Sequence, residues 1–193
     1  MDKIIDNQYF KCYYVVIIIS IKLRGYIIMF KGKVVIVGAS NVGSAVLTKL
    51  LDFQLASEIA LIDLNENKCK GEALDANDAT SCIHSLNIKT YHGDYSDCKD
   101  ADLIIITAGP SIKPGEKADR LILSKTNCKI MSSVMSEITK YTKDALILMI
   151  TNPLDVATYH VSTQFDYPRE KIIGTGTMLE LSAYAESLLT VII

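Results

Sequence analysis

A glycine-containing loop early in the chain has the residues that a phosphate-binding turn requires. It lies between an apolar run at Lys33–Val37 and a helical pattern, and its sequence is Gly38-Ala39-Ser40-Asn41-Val42-Gly43. Backbone N–H groups at a helix N-terminus, together with the helix dipole, favour a bound anion. We expect Gly38 to form the turn and Gly43 to allow close packing of helix on strand. Ser40 replaces the usual central glycine, but its hydroxyl can donate to phosphate, so the loop predicts a dinucleotide site.

An acidic residue follows at the distance expected for a ribose contact. Asp63 comes directly after the apolar run Ile59–Ile62 and lies 20 residues beyond Gly43. A carboxylate at this position accepts hydrogen bonds from the adenosine ribose and repels a 2′-phosphate, which favours NAD over NADP. The alternative is an ordinary turn followed by a solvated aspartate, but the spacing and the two flanking strands favour the nucleotide site.

Four further motifs follow in order along the chain, and they are Thr107-Ala108-Gly109, Lys113–Glu116, Thr151-Asn152-Pro153-Leu154-Asp155 and Gly174–Leu179. Together with the glycine loop, they resemble the L-lactate/malate dehydrogenase family, and most closely its lactate and 2-hydroxyisocaproate dehydrogenase branch. The resemblance covers about residues 30–180, nearly all of one Rossmann half. It implies hydride transfer between NADH and a small 2-oxo acid, with pyruvate reduced to L-lactate.

The resemblance assigns catalytic roles to Arg120 and Asn152. In this family, an Arg on the loop after the fourth strand stabilises the charge that develops on the ketone oxygen. Arg120 is the only Arg in that loop, and it lies two residues further from Pro-Gly-Glu than is usual in the family. The alternative is that Arg120 is a solvated charge at the start of a helix. Asn152 matches the Asn that binds nicotinamide and substrate oxygen; an ordinary Asn-Pro turn is the alternative. The bond to Pro153 is a candidate for the cis form.

Other positions match the family's cofactor and substrate contacts. Lys68 and Tyr95 correspond to contacts of the adenosine. Cofactor contacts at the ends of the fourth and fifth strands correspond to Thr107, Ala108, Gly109, Thr151 and Asn152. Asp155 corresponds to a position beside the substrate, as do Arg120 and Asn152. In this family, Gln at the position of Ile112 suits pyruvate and Arg suits oxaloacetate, so the absence of a second cation disfavours malate. An apolar Ile112 tolerates a branched 2-oxo acid as well as pyruvate, and we expect lactate, with hydroxyisocaproate as the alternative.

Parts of the family's catalytic machinery have no counterpart in the chain. The Gly-Glu-His-Gly stretch that supplies the proton donor does not occur, and Ala183 stands where an Arg binds the substrate carboxylate. Glu180 occupies the position of the Asp that pairs with the catalytic His. We therefore expect a truncated, inactive dehydrogenase that keeps a cofactor half-site. A non-catalytic NAD-binding module is the alternative, and the reading frame downstream of this sequence would distinguish the two. A short-chain dehydrogenase, which requires a catalytic Tyr-x-x-x-Lys pair, is disfavoured.

These residues require a scaffold of alternating strands and helices. Six apolar runs predict strands at Lys33–Val37, Ile59–Ile62, Ile88–Tyr91, Leu103–Thr107, Leu146–Ile150 and Lys171–Ile173. Helical periods separate these runs, and the second helix is expected to direct Ala73 and Leu74 inward. Right-handed crossovers then predict an α/β fold, a doubly wound parallel sheet of Rossmann type with strand order 3-2-1-4-5-6.

The chain ends differ in composition from this domain, which we expect to span residues 29–177. Residues 178–193 are interpreted as the start of a substrate domain. Residues 1–28 contain the apolar run Tyr13–Ile21, about half as long as a membrane span. We expect translation to begin at Met29, and a packed extension or a membrane or export segment is the alternative.

Composition excludes several other classes of protein. The chain has 193 residues, of which 49% are hydrophobic, and a net charge of −2, which disfavours nucleic acid as a partner. Five cysteines without a CxxC pair and three separated histidines predict neither a disulfide framework nor a metal site. This cysteine usage fits the reducing cytoplasm. The resemblance implies that full-length relatives are homo-oligomeric, and we expect no membrane partner.

Overall fold

Six parallel strands form the centre of the molecule. The structure, a computed structural model, describes residues 32–82, 88–110 and 120–176. Within these residues the strand order is β3-β2-β1-β4-β5-β6, and every neighbouring pair is parallel. The strands are β1 (Lys33–Val37), β2 (Glu58–Ile62), β3 (Lys89–His92), β4 (Leu103–Ile106), β5 (Leu146–Met149) and β6 (Ile172–Gly174). This arrangement confirms the predicted doubly wound sheet and its order.

Helices connect the strands and cover the two faces of the sheet. They are α1 (Asn41–Asp52), α2 (Glu66–Cys82), α3 (Arg120–Ile138) and α4 (Leu154–Gln164). Two 3₁₀ turns that the sequence analysis did not predict lie at Tyr95–Asp100 and Arg169–Lys171. In the described part of the chain, no helix is long and apolar enough to cross a membrane. The predicted extension at 1–28 and the predicted stub at 178–193 lie outside the described residues.

The four central strands β2, β1, β4 and β5 are apolar along almost their whole length, as expected for strands that helices cover on both faces. Val34 and Ile36 of β1 belong to one buried apolar cluster, and Val35 and Val37 belong to the other. All four side chains are at most 2% exposed. Burial of one such side chain contributes about 1.5–3 kcal/mol before entropic costs, so β1 is a large contributor to the stability of this domain.

One predicted core position was wrong. Ala73 is buried as expected, but Leu74 is 61% exposed. The buried stripe of α2 follows Cys69, Ala73 and Ala76, at helical spacings of four and three residues. Leu74 is rotated about 100° from Ala73 around the helix, so it points away from the sheet.

Asn77 protects the free edge of β3. Its Nδ2 donates to the carbonyl oxygen of Thr90 at 2.8 Å, and the Thr90 N–H donates to its Oδ1 at 3.2 Å. The side-chain amide therefore occupies the place of a neighbouring strand. Edge strands with unpaired N–H and C=O groups are sites of aggregation, and this contact covers the middle of the edge.

A polar cluster fixes the first 3₁₀ turn to the beginning of the sheet. Lys33 Nζ lies 2.8 Å from Asp97 Oδ1 and 3.7 Å from Glu58 Oε1. The Tyr91 hydroxyl lies within hydrogen-bonding distance of the same two carboxylates, at 2.7 and 2.6 Å. Burial alone would raise the pKa of Asp97, but the bonds from Lys33 and Tyr91 hold this pKa below its ordinary value. The charged form of Asp97 therefore stabilises the folded state.

We predict that Asp97→Asn lowers the free energy of unfolding at neutral pH by about 1–2 kcal/mol, because the shape is kept while the charge on the Lys33 bond is lost. Since the folded-state pKa lies below the unfolded value, this stabilisation is present above about pH 4 and is lost as the pH falls through the folded-state pKa. Urea unfolding of both proteins should therefore give stabilities that converge in acid.

The matched control is Asp166→Asn, which removes a carboxylate that pairs with Lys143 but is 98% exposed. We expect no measurable change from it, because exposed ion pairs contribute little. A difference between Asp97→Asn and the wild type that stays constant with pH would contradict the role given to the Asp97 charge.

Candidate functional site

The glycine loop makes a tight turn between β1 and α1. Gly38 has a φ of +107°, a conformation that side chains with a Cβ rarely adopt. A Cβ at Gly38 would lie 2.6 Å from the backbone nitrogen of Ala108, and one at Gly43 would lie 1.9 Å from the Gly38 carbonyl oxygen. Both positions therefore require glycine, one for the turn and the other for the packing of α1 on β1.

The loop leads directly into the N-terminus of α1. Ser40 is the N-cap residue, and its carbonyl oxygen accepts the Ser44 N–H at 2.8 Å. The Ser40 hydroxyl makes no capping bond to the helix, and Asn41 and Val42 form the first turn. The first N–H groups of a helix have no intrahelical partner and lie at the positive end of its dipole. This end of α1 can therefore hold an anion such as a pyrophosphate.

Asp63 joins the end of β2 to the glycine loop. Its Oδ2 accepts the Ala39 N–H at 2.7 Å, and its Oδ1 accepts the Asn65 N–H at 2.9 Å. The Gly38 N–H also donates to the carbonyl oxygen of Ile62, at 2.7 Å. The position of Asp63 predicts a ribose contact, but its bond to the loop was not predicted from the sequence. A partly exposed carboxylate has further lone pairs, so it can hold the loop and accept ribose hydroxyls together.

Two threonines form the buried floor between the strand ends. Thr107 follows β4, and its hydroxyl donates to the carbonyl oxygen of Gly38 at 2.6 Å. Thr151 follows β5, and its hydroxyl donates to the carbonyl oxygen of Ala108 at 2.8 Å. Gly109 lies beside Thr151, where an added Cβ would lie 3.4 Å from the Thr151 methyl carbon. The two hydroxyls thus connect β1, β4 and β5 at the edge where ligands bind in such sheets.

Asn152 lies at this same edge with its side chain toward solvent. The Asn152–Pro153 peptide bond is cis, and Asn152 is exposed. The buried Asn127 of α3 donates its Nδ2 to the main-chain oxygen of Asn152. Thr175, after β6, donates its hydroxyl to the carbonyl oxygen of Met149 at 3.2 Å. The sequence analysis assigned no role to Asn127 or Thr175.

A signal existed for only one of those two residues. Thr175 follows a strand, and the carboxyl ends of parallel strands are where ligands bind. Asn127 lies in the middle of a helix, where a polar residue ordinarily faces solvent, so no sequence pattern distinguishes it.

Lys68 and Tyr95 lie beyond the ends of β2 and β3, on the side of the sheet that holds Asp63. The Lys68 N–H donates to Asn65 Oδ1 at 3.1 Å in the first turn of α2. Tyr95 is half-buried, packs against the second apolar cluster, and has a pKa raised by burial. Both side chains follow neighbouring parallel strands, as an adenosine contact requires, and the negative charge of Asp63 contributes to the raised pKa of Tyr95.

The substrate end of the predicted site is described only in part. Ile112 and Glu180 lie outside the described residues. α3 begins at Arg120, whose side chain also lies outside the described part of the structure. Asp155 is exposed in the first turn of α4, and a Cβ at Gly176 would lie 2.8 Å from its Oδ1. The turn after β6 therefore lies against Asp155, in the motif that contains Asn152.

Other kinds of site find no support in the described residues. Two Tyr-x-x-x-Lys spacings do occur in the sequence, at Tyr95 with Lys99 and at Tyr167 with Lys171. A catalytic pair of this type needs a lowered tyrosine pKa, whereas burial raises the pKa of Tyr95 and raises that of Tyr167 to about 12. Among the residues that the structure describes, no group of acidic, His and Cys side chains could hold a metal ion.

Comparison with known proteins identifies this arrangement. Residues 32–174 match the family described as lactate/malate dehydrogenase, NAD binding domain. An L-lactate dehydrogenase of Selenomonas ruminantium is 71% identical over 148 residues, which are 77% of this chain and 46% of that protein. The chain thus spans about half the length of the curated relatives that it matches.

Solved structures give the same result. The minor L-lactate dehydrogenase of Enterococcus mundtii, in a ligand-bound form, has a TM-score of 0.70 and 37% identity over 76% of this chain and 46% of that chain. The malate dehydrogenase of Archaeoglobus fulgidus in complex with NADH has a TM-score of 0.66 and 34% identity, over 72% of this chain and 47% of that chain. The chain therefore belongs to the lactate/malate dehydrogenase family, and its described residues form the NAD-binding domain of that family.

Proposed function

We propose that this chain is the NAD-binding part of an L-lactate dehydrogenase that interconverts pyruvate and L-lactate. One observation carries the proposal: the Asp63 carboxylate holds the Ala39 N–H at 2.7 Å beside the N-terminus of α1. This contact brings an anion-binding helix end and a ribose-binding carboxylate together. The identity of 71% to an L-lactate dehydrogenase supports the choice of lactate within the family.

Each end of the site suits a different part of the cofactor. Asp63, with Lys68 and Tyr95 on the same side of the sheet, suits the adenosine, and its negative charge disfavours the 2′-phosphate of NADP. The N-terminus of α1 suits the pyrophosphate. Asn152 suits the nicotinamide end, where its side-chain amide can donate to the carbonyl oxygen of the 2-oxo acid.

The chain's own residues would orient the reactants. NADH, when bound, supplies the hydride. Asn152 holds the substrate oxygen, and Arg120 stabilises the charge that develops on it as the ketone is reduced. The proton donor and the carboxylate-binding Arg of the family have no counterpart in the 193 residues. The reaction therefore requires groups that this sequence does not contain.

The finer assignments are part of this proposal. Ile112 is apolar and would also accept a branched 2-oxo acid, so 2-hydroxyisocaproate dehydrogenase is the nearest alternative substrate class. The described cysteines Cys69, Cys98 and Cys128 are free thiols, which fits the reducing cytoplasm. We also propose that the whole enzyme is a homo-oligomer, as we infer for its full-length relatives.

The first prediction about the cofactor site is that the 193-residue chain binds NAD⁺ but does not oxidise NADH in the presence of pyruvate. General acid–base catalysis contributes about 10²–10⁴-fold to such reactions, and the residues that perform it here are absent. Calorimetry would measure binding, and absorbance of NADH would measure turnover. Absence of NAD⁺ binding would contradict the proposed function. Pyruvate-dependent oxidation of NADH would contradict the claim that the reaction requires a proton donor and a carboxylate-binding Arg that these 193 residues do not contain.

A chimera tests the activity itself. Residues 29–176 of this chain would be joined to the remaining part of the Selenomonas ruminantium L-lactate dehydrogenase, which follows the matched region. We expect the chimera to reduce pyruvate and to lose most of this activity when Asn152→Ala is introduced. A preference for a branched 2-oxo acid would favour the alternative substrate class, and a stable chimera that binds NADH without any turnover would favour a non-catalytic NAD-binding module.

The second prediction concerns the choice of cofactor. The wild-type chain should bind NAD⁺ at least about 100-fold more tightly than NADP⁺, because the Asp63 charge repels the 2′-phosphate. Asp63→Asn should weaken NAD⁺ binding by about tenfold and narrow this preference. Asp52→Asn, at the exposed end of α1, is the control and should change neither affinity. Equal binding of NAD⁺ by Asp63→Asn and the wild type would exclude Asp63 from the ribose site.

The third prediction compares two glycines in helices. Gly43→Ala places a Cβ within 1.9 Å of the Gly38 oxygen, so the loop must move. We expect a loss of stability of about 1–3 kcal/mol and a loss of NAD⁺ affinity. Gly71→Ala in α2 meets nothing within 4 Å and should increase stability by about 0.5–1 kcal/mol with unchanged NAD⁺ affinity. Thermal unfolding and calorimetry would show both effects, and tight NAD⁺ binding by Gly43→Ala would contradict the loop's role.

A further inference from the structure

Asn127 is a buried polar side chain at the cofactor edge of the sheet. It is 3% exposed, and its Nδ2 donates to the main-chain oxygen of Asn152. Its Oδ1 is buried and has no hydrogen-bond partner. A helix residue that packs against the sheet is ordinarily apolar, so the amide at this position requires a reason.

The amide lies between the ends of two neighbouring strands. A Cβ at Gly109, after β4, would lie 3.6 Å from Asn127 Oδ1 and 3.9 Å from Nδ2. Asn152, after β5, receives the donated bond. The Asn127 amide thus lies next to the chain at Gly109, and it connects α3 to the turn that presents Asn152.

Stability alone does not account for Asn127. A buried acceptor without a partner costs free energy, and a leucine of similar volume would avoid that cost. What a leucine could not provide is the donor to the Asn152 oxygen. That bond and the preceding Thr151 hydroxyl bond to Ala108 hold the main chain on both sides of the Asn152 α-carbon. The direction of the exposed Asn152 side chain is then fixed by groups on α3 and β4.

We propose that Asn127 is a positioning residue that fixes the Asn152 main chain so that the Asn152 amide meets the nicotinamide end of the cofactor. This inference rests on the proposed function. It requires that Asn127 affects the nicotinamide half of the ligand and leaves the adenosine half unaffected, because its hydrogen bond goes to Asn152, after β5, whereas Asp63 and the glycine loop lie after β2 and β1.

The test uses the full chain and two ligands, NAD⁺ and ADP-ribose, which lacks nicotinamide. Asn127→Asp keeps the shape but replaces the donor by a carboxylate that faces a carbonyl oxygen. We expect calorimetry at about pH 7.5 to show NAD⁺ affinity reduced by about tenfold and ADP-ribose affinity unchanged. Burial raises the pKa of such a carboxyl, so near pH 5.5 its protonated form can donate again and NAD⁺ affinity should partly recover.

Asn77→Asp is the matched control, since Asn77 also bridges a helix to main-chain groups but does so at β3. It should lower the melting temperature without changing the ratio of the two affinities. If Asn127→Asp does not fold, Asn127→Ser removes the long donor with a smaller, uncharged side chain and should give the same selective loss of NAD⁺ affinity.

Each outcome is decisive. If the Asn127 variants lose affinity for NAD⁺ and for ADP-ribose equally, the role of Asn127 is purely structural and the inference is overturned. Unchanged NAD⁺ affinity would overturn it as well, while the proposed function would stand because the wild type still binds both ligands. A wild-type chain that binds neither ligand would overturn the proposed function, and the inference with it.

Discussion

The hydrogen bond from the Ala39 N–H to Asp63 Oδ2 is the contact on which the cofactor site depends. At 2.7 Å it joins the loop after β1 to the residue after β2, and it does so with a charged acceptor, which makes it stronger than a neutral bond. The same carboxylate would serve the ribose. In the proposed site, one side chain would thus couple the fold to cofactor binding, and a change at Asp63 would alter the loop geometry as well as the charge.

Small buried polar side chains hold the main chain in place toward the other end of the site. Thr107 bonds to the glycine loop, Thr151 bonds to the chain after β4, and Asn127 bonds to the chain after β5. Each side chain satisfies a main-chain oxygen that leaves the sheet, where no neighbouring strand is available. The segments after the strands therefore keep fixed positions relative to one another although they have no regular secondary structure. A site that spans four strand ends requires such fixed positions.

Apolar patterns made much of the fold predictable. β1 has its predicted bounds, and the sheet order follows from the alternation of strands and helices, because strands buried on both faces are continuous apolar runs. The 3₁₀ turn at Tyr95–Asp100 was missed although Asp94 and Asp97 form a local capping box there, and the ion pair of Asp97 with Lys33, which is far away in the sequence, could not be foreseen. Leu74 was misplaced because hydrophobicity alone does not show which side of a weakly amphipathic helix is buried.

The local geometry of the candidate site was predictable at positions where the backbone permits only one type of residue, and it was less predictable elsewhere. Gly38 and Gly43 are required by a positive φ and a close approach, both of which the spacing of the motif implies. Asn127 depends on three elements that only the folded chain brings together. Two apolar clusters cover both faces of the sheet using described residues alone. This part of the chain therefore has its own hydrophobic core, which is what a domain needs in order to present a cofactor site by itself.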